Sequence, residues 1–152
     1  MIKKEILVIG SNGQIGHSLC QSDWGPTINV VGVDRKQLDL NHHTDVERLL
    51  SEKKWDYVIN ATAYRDVEKA ELERDVCYQT NVVAVENLSK ICDQYMIPLF
   101  HYSTDYVFDG TKSTPYSEDD DVHPINHYGS TKEEGERMIR EALSQHVILR
   151  VA

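Results

Sequence analysis

The sequence predicts an α/β fold: a parallel sheet wound on both faces by helices. Three observations carry that expectation. Short apolar, β-branched runs alternate with longer segments of helical period. The runs are apolar on both faces rather than alternating in and out, which marks strands covered on each side by crossover helices. A glycine-punctuated turn, Gly10-Ser-Asn-Gly13-Gln-Ile-Gly16, joins the first run to the first helical segment.

The elements follow in order. Glu5–Ile9 reads as a buried strand, within a strand-like segment that begins at Ile2, and Gln14–Gln21 as a helix. Ile28–Asp34 is the second strand. Thr44–Lys53 is helical, with Thr44 as the expected N-cap and Glu47 three residues on completing a capping box. Tyr57–Ala61 is the third strand. Arg74–Tyr95 is the longest helical segment, with Val82, Val85, Leu88 and Ile91 at helical spacing. Pro98–Tyr102, Ser130–Ser144 and His146–Val151 complete the pattern as strand, helix and strand. Right-handed crossovers then give an expected strand order of 3-2-1-4-5, with ligands outside the carboxyl ends of strands 1 and 4. Thr111–Pro124, with its acidic run Glu118–Asp121, reads as a solvated loop.

Composition narrows the function. At 152 residues the chain fits one domain. Its 40% hydrophobic and 27% charged residues are those of a globular protein. A formal charge of −9 argues against a nucleic-acid surface. No apolar run approaches a membrane span, and no basic leader precedes the first strand, so a cytoplasmic protein is expected. Cys20, Cys77 and Cys92 are odd in number and widely spaced, which suits reduced thiols on helices or in the core. The histidines form no helical pair of ligands, and no metal site is assigned.

The chemistry lies at the strand ends. In a strand–turn–helix, backbone N–H groups at the helix N-terminus can meet a pyrophosphate. Gly10 permits the tight turn, Gly13 the approach of the ligand, and Gly16 close packing of helix on strand. Asp34, ending the second strand, can accept from an adenosine ribose 2′-hydroxyl and so favours NAD. Arg35 and Lys36 beside it could grip a 2′-phosphate and so favour NADP. The two signals conflict, and both cofactors stay open. Asp39 and Leu40 are placed to face the adenine, and the small residues Ala61 and Ala63 after the third strand let cofactor come close. Tyr128 and Lys132 fall on one helical face. A free tyrosine, with a pKa of about 10, is a poor acid at neutrality, and a neighbouring ammonium is expected to bring it down. Lys132 can also hold a nicotinamide ribose, and Thr104 can hydrogen-bond a reacting carbonyl.

Five segments together resemble the dTDP-4-dehydrorhamnose reductase family of extended short-chain dehydrogenases. They are Gly10–Gly16, Val58–Tyr64 with Val67–Glu71, His101–Gly110 (His-Tyr-Ser-Thr-Asp-Tyr-Val-Phe-Asp-Gly), Pro124–Lys132 with Gly135-Glu136, and Ile148–Arg150. The resemblance implies a Rossmann-type sheet and NADPH- or NADH-dependent reduction of a dTDP-4-keto-6-deoxy sugar to dTDP-L-rhamnose, with Tyr128 protonating the oxygen. It also implies that Gln14, Ile15, Asp39, Leu40, Ala63, Tyr64, Arg65, Tyr128 and Lys132 contact the cofactor. Thr104 and Asp105 would contact the sugar. Magnesium and a homodimer are associated with the family. Arg65 departs from the family pattern, which has a small residue, typically threonine, there. The family also continues into two more strands and a small substrate domain, so the chain is expected to correspond to its N-terminal portion. Another nucleotide-sugar reductase or epimerase, or a non-catalytic nucleotide-binding subunit, are the competing readings.

Overall fold

The computed structural model describes residues 3–152; Ile2, expected at the start of the first strand, lies outside them. Five strands form one parallel sheet: β1 (Lys4–Ile9), β2 (Ile28–Val33), β3 (Tyr57–Asn60), β4 (Leu99–Thr104) and β5 (His146–Val151). The helices are α1 (Gln14–Gln21), α2 (His43–Ser51), α3 (Val67–Ala70), α4 (Arg74–Tyr78), α5 (Ala84–Gln94) and α6 (His127–Ala142). The doubly wound architecture is the one the sequence predicts.

The position of the third strand differs. The observed order is β2-β1-β3-β4-β5, not 3-2-1-4-5. Strand β3 pairs with β1, Ile6 opposite Tyr57 through Ile9 opposite Asn60. After β2 the chain folds into turns through Asp34–Asn41, which bury Leu38 and Leu40 in the core. Helix α2 then carries it back across the sheet to the far side of β1. The winding therefore reverses between β1 and β3, and the ligand crevice of such a sheet moves there with it.

The larger core lies on the α2/α5/α6 face, where Leu7, Ile9, Val58 and Leu99 of the strands meet Val46, Leu50, Val85, Leu88, Ile91 and Ile139. On the other face Ile6, Val8 and Ile59 pack with Leu19, Trp24, Phe100 and Tyr102. Val147, Leu149 and Val151 of the edge strand β5 remain exposed.

Three local features position the functional side chains. Thr44 does not cap α2. The helix begins one residue earlier, after His42, whose side chain makes no capping bond, because a turn closed by His42 N–H to the Asp39 carbonyl feeds directly into it. Asn126 does cap α6, its Oδ1 accepting from Gly129 N–H at 2.7 Å, so this helix starts at His127 and takes in Tyr128. The long helix expected over Arg74–Tyr95 is broken by a π turn, Gln79–Val83, between α4 and α5.

Helix α6 seats on that π turn through Gly135. A Cβ there would stand 2.4 Å from the Asn81 carbonyl oxygen, a backbone atom that cannot yield. Gly135→Ala is expected to destabilise the fold by about 1–3 kcal/mol, read from the urea denaturation midpoint.

Candidate functional site

A cleft of about 400 Å³ opens at the carboxyl ends of β1 and β3. Gly10 turns the chain out of β1 at φ +93°, a conformation that suits glycine, with its N–H donating to the Val33 carbonyl. Helix α1 starts at Gln14, and its N-cap, Gly13, offers no side-chain acceptor. The helix's first N–H groups are therefore free to meet an anion in the cleft. Gly16 lies behind the turn rather than in the cleft. A Cβ at Gly16 would fall 2.1 Å from the Gly10 carbonyl oxygen, so its missing side chain seats the helix on the turn, where packing of helix on strand was expected.

The loop after β2 forms the outer wall. Asp34 accepts from Asn12 Nδ2 at 2.7 Å through one oxygen, and from the backbone N–H groups of Lys36 and Gln37 through the other. Its carboxylate is thus fixed at the cleft edge. Arg35 reaches Asp39, Nε to Oδ2 3.5 Å, and Asp39 also accepts from Asn41. Both signals for cofactor preference remain side by side on this wall.

The inner wall comes from β3, β4 and α6. Tyr128 and Lys132 stand one turn apart on α6 and both face the cleft. Lys132 is 3% exposed, and its Nζ donates to the Tyr102 carbonyl at 2.7 Å. Burial brings its ammonium down to about 8, against a smaller opposing pull from Glu136. The expected lowering of the Tyr128 phenol is not found. Burial pushes it up, opposed by the Thr104 hydroxyl, because the lysine is turned to Tyr102 rather than to the phenol. Tyr106 packs edge-on against the Tyr128 ring with centroids 5.6 Å apart.

Helix α6 is anchored one turn further on. Glu136 is wholly buried and accepts from Arg150 at 2.9 and 2.7 Å and from Arg140 at 2.6 Å. Burial works against its charge, but the arginines outweigh it and hold the carboxyl below its ordinary range. Asn81, on the π turn, uses its whole amide. Oδ1 accepts from Tyr64 N–H at 2.8 Å, and Nδ2 donates to the Tyr64 carbonyl and to Thr131 Oγ1, each at 3.1 Å. It ties the loop after β3 to α6.

Of the residues singled out in the sequence, Gly10, Gly13, Gln14, Ile15, Asp34, Arg35, Asp39, Leu40, Ala61, Ala63, Arg65, Tyr128 and Lys132 line the cleft. Tyr64 does not. It borders a neighbouring hollow, where its hydroxyl donates to Glu73 at 2.6 Å, and that bond pushes the phenol up to about 12. Thr104 is buried just beyond the cleft, its hydroxyl donating to Asp105 at 3.2 Å and accepting from Tyr106 N–H. Asp105 is exposed. Among the residues the structure adds to the lining are Asn12, Thr62, Thr80 and Tyr102. Asn12 lay within the glycine turn, and its pairing with Asp34 is the one of these that spacing could have suggested.

The model of the RmlD substrate binding domain family matches residues 4–152. The chain belongs to that family. Relatives of this RmlD-family chain include the dTDP-4-dehydrorhamnose reductases of Aggregatibacter actinomycetemcomitans, 38% identical over 97% of this chain and 50% of that protein, and of Salmonella typhimurium, 34% identical over 97% and 50%. The chain therefore spans about half the length of the curated relatives it matches. A Bacillus anthracis dTDP-4-dehydrorhamnose reductase solved in complex with NADP superposes with a TM-score of 0.95 at 31% identity, covering 99% of this chain and 54% of that one. MoeE5 in complex with UDP-glucose and NAD gives 0.83 at 26% identity, covering 95% and 52%.

The buried lysine makes a stability prediction. An unfolded lysine keeps its proton to the ordinary value of 10.5, whereas folded Lys132 releases it near 8. Between those values the unfolded state binds the extra proton, so the contribution of Lys132 rises with pH. Lys132→Met is expected to stabilise the fold at pH 7 by about 1–3 kcal/mol, and that advantage should shrink at pH 10. Urea denaturation at the two pH values checks it.

Proposed function

We propose that the chain is the cofactor-binding half of an NAD(P)H-dependent reductase. Its reaction is reduction of the 4-keto group of dTDP-4-dehydro-6-deoxy-L-mannose to dTDP-L-rhamnose, in the supply of nucleotide sugars for polysaccharide. The observation that carries this reading is the convergence, in one cleft at the β1/β3 switch point, of a glycine turn at a helix N-terminus with Tyr128 and Lys132. The reductases among its relatives, and the NADP complex among the similar structures, supply the substrate and cofactor class.

The residues fit a dinucleotide. Gly10, Gly13, Gln14 and Ile15 would hold the pyrophosphate against the start of α1. Asp34, Arg35, Asp39 and Leu40 would hold the adenosine end. Ala61, Ala63 and Arg65 would lie along the middle, and Lys132 would hold the nicotinamide ribose. The bound nicotinamide supplies the hydride. Tyr128 gives its proton to the carbonyl oxygen as charge develops there, and Thr104 shares in orienting that oxygen with Asp105 beside it. Burial keeps the phenol in its protonated, donating form but makes it a weaker acid than a free tyrosine, so the transfer relies on the charge that develops on the carbonyl oxygen. The described residues contain no group of three or more His, Cys, Asp or Glu side chains fit to hold a metal ion, and no step is assigned to magnesium. No helix among them is long and apolar enough to cross a membrane. A cytoplasmic homodimer completes the proposal.

Fluorescence titration of this chain with NADPH and NADH is expected to show micromolar binding, and the affinity ratio reads whether Arg35 or Asp34 governs the choice. A folded chain that binds neither overturns the reading. In the longest native form of the protein, Tyr128→Phe is expected to slow reduction by about 10²–10⁴-fold while leaving cofactor affinity nearly unchanged. Turnover close to that of the parent would remove Tyr128 as the acid.

A further inference from the structure

His101 sits in the middle of β4 with 1% of its surface exposed. Its Nδ1 lies 3.2 Å from Asn60 Nδ2, and its Nε2 lies 3.5 Å from Lys132 Nζ. The Asn60 amide has one orientation open to it. Its Oδ1 accepts from the Thr62 backbone N–H at 3.0 Å, a donor that cannot reverse, and from Thr62 Oγ1 at 2.7 Å. The amide NH₂ therefore faces Nδ1, and Nδ1 must accept. Burial, reinforced by the charge of Lys132, keeps the imidazole far below its ordinary pKa and hence neutral. A neutral imidazole that accepts at Nδ1 carries its proton on Nε2. That proton is aimed at the lysine nitrogen.

We propose that His101 is a positioning residue for Lys132, its tautomer locked by Asn60 so that Nε2 presents an N–H to the lysine amine. As an amine, Lys132 accepts from Nε2 while donating to the Tyr102 carbonyl, and both bonds fix its place. As an ammonium it confronts the same N–H with N–H groups of its own, and the contact turns unfavourable. The other titratable groups around Lys132 are the Cys77 thiol from α4, Glu136 one turn on and Tyr128 one turn back along α6. Glu136 favours the ammonium, but it is already held by Arg150 and Arg140. His101 thus works with burial against the charged form. The functional consequence, control of the charge beside the acid Tyr128, rests on the reductase reading; the tautomer and its effect on Lys132 do not.

The test is NMR of the chain carrying ¹³C-labelled lysine, with the Lys132 signal assigned through Lys132→Arg. The titration is compared in the parent, His101→Gln and His101→Met. Glutamine can accept from Asn60 and still donate to the lysine, whereas methionine fills the volume without either bond. Lys132 is expected to titrate near its parent value in His101→Gln and about one unit higher in His101→Met. An unchanged titration in His101→Met, or an equal shift in both variants, overturns the proposal. If His101→Met does not fold, long-range ¹⁵N–¹H spectra of the parent decide. Protonated Nε2 with bare Nδ1 upholds the inference, while a proton on Nδ1 at pH 7 overturns it. Neither measurement uses cofactor or sugar, so a failure of turnover and a failure of this inference are read separately.

Discussion

The site depends on how closely two backbones approach at the ends of β1 and β3. A Cβ on Gly10 would stand 2.9 Å from the Ala61 carbonyl oxygen and 3.0 Å from Thr62 Cγ2, while one on Gly16 would fall 2.1 Å from the Gly10 carbonyl. Gly10 then turns toward β2, donating to Val33, whereas Ala61 stays with β1 through its N–H to Ile9. The crevice is the gap left as the two loops part. A side chain at either glycine would push the turn, the helix or the β3 loop aside and close or splay that gap.

Helix α6 brings both a cost and its compensation to this frame. Tyr128, Lys132 and Glu136 repeat every four residues and so form one inward stripe. Lys132 loses hydration with few charged partners, and its pKa drops. Glu136 is equally buried but is gripped by two arginines and stays ionised. Arg150 also lies over the Phe108 ring, which stacks on Tyr116 with centroids 4.3 Å apart. The carboxylate thereby secures both the last strand and the loop that follows Thr104. The lysine is where the helix bears instability, and the glutamate is where it is held.

Much of this was legible in the sequence because it rests on short-range rules. Strand positions follow from apolar runs, and the glycine turn and the Tyr128–Lys132 pair follow from spacing alone. What was not legible depends on distant partners. The strand order turned on whether the strand at Tyr57–Ala61 would pair beyond β2 or on the far side of β1, and an apolar run carries no record of its neighbour. Thr44 and Glu47 have the right spacing for a capping box, but the turn from Asp39 to His42 had already begun the helix. The pKa of Tyr128 could not be read because spacing places Lys132 on the same face without saying where its amine points. His101 looked like one more strand residue until Asn60 and Thr62, from another strand and its loop, defined which nitrogen carries the proton.

The π turn between α4 and α5 has a consequence for chain length. Such a turn is an α-helix holding one extra residue, and here the extra residue lets Asn81 reach the β3 loop and α6 together. Losing one residue would restore a regular helix, with better hydrogen bonds, yet would rotate one side of it by about 100° relative to the other. The bridge therefore needs both the amide of Asn81 and the number of residues in Gln79–Val83 that carries it there. In this stretch the length of the chain is itself part of how the site is built, and a deletion that tidies the helix would erase the bridge.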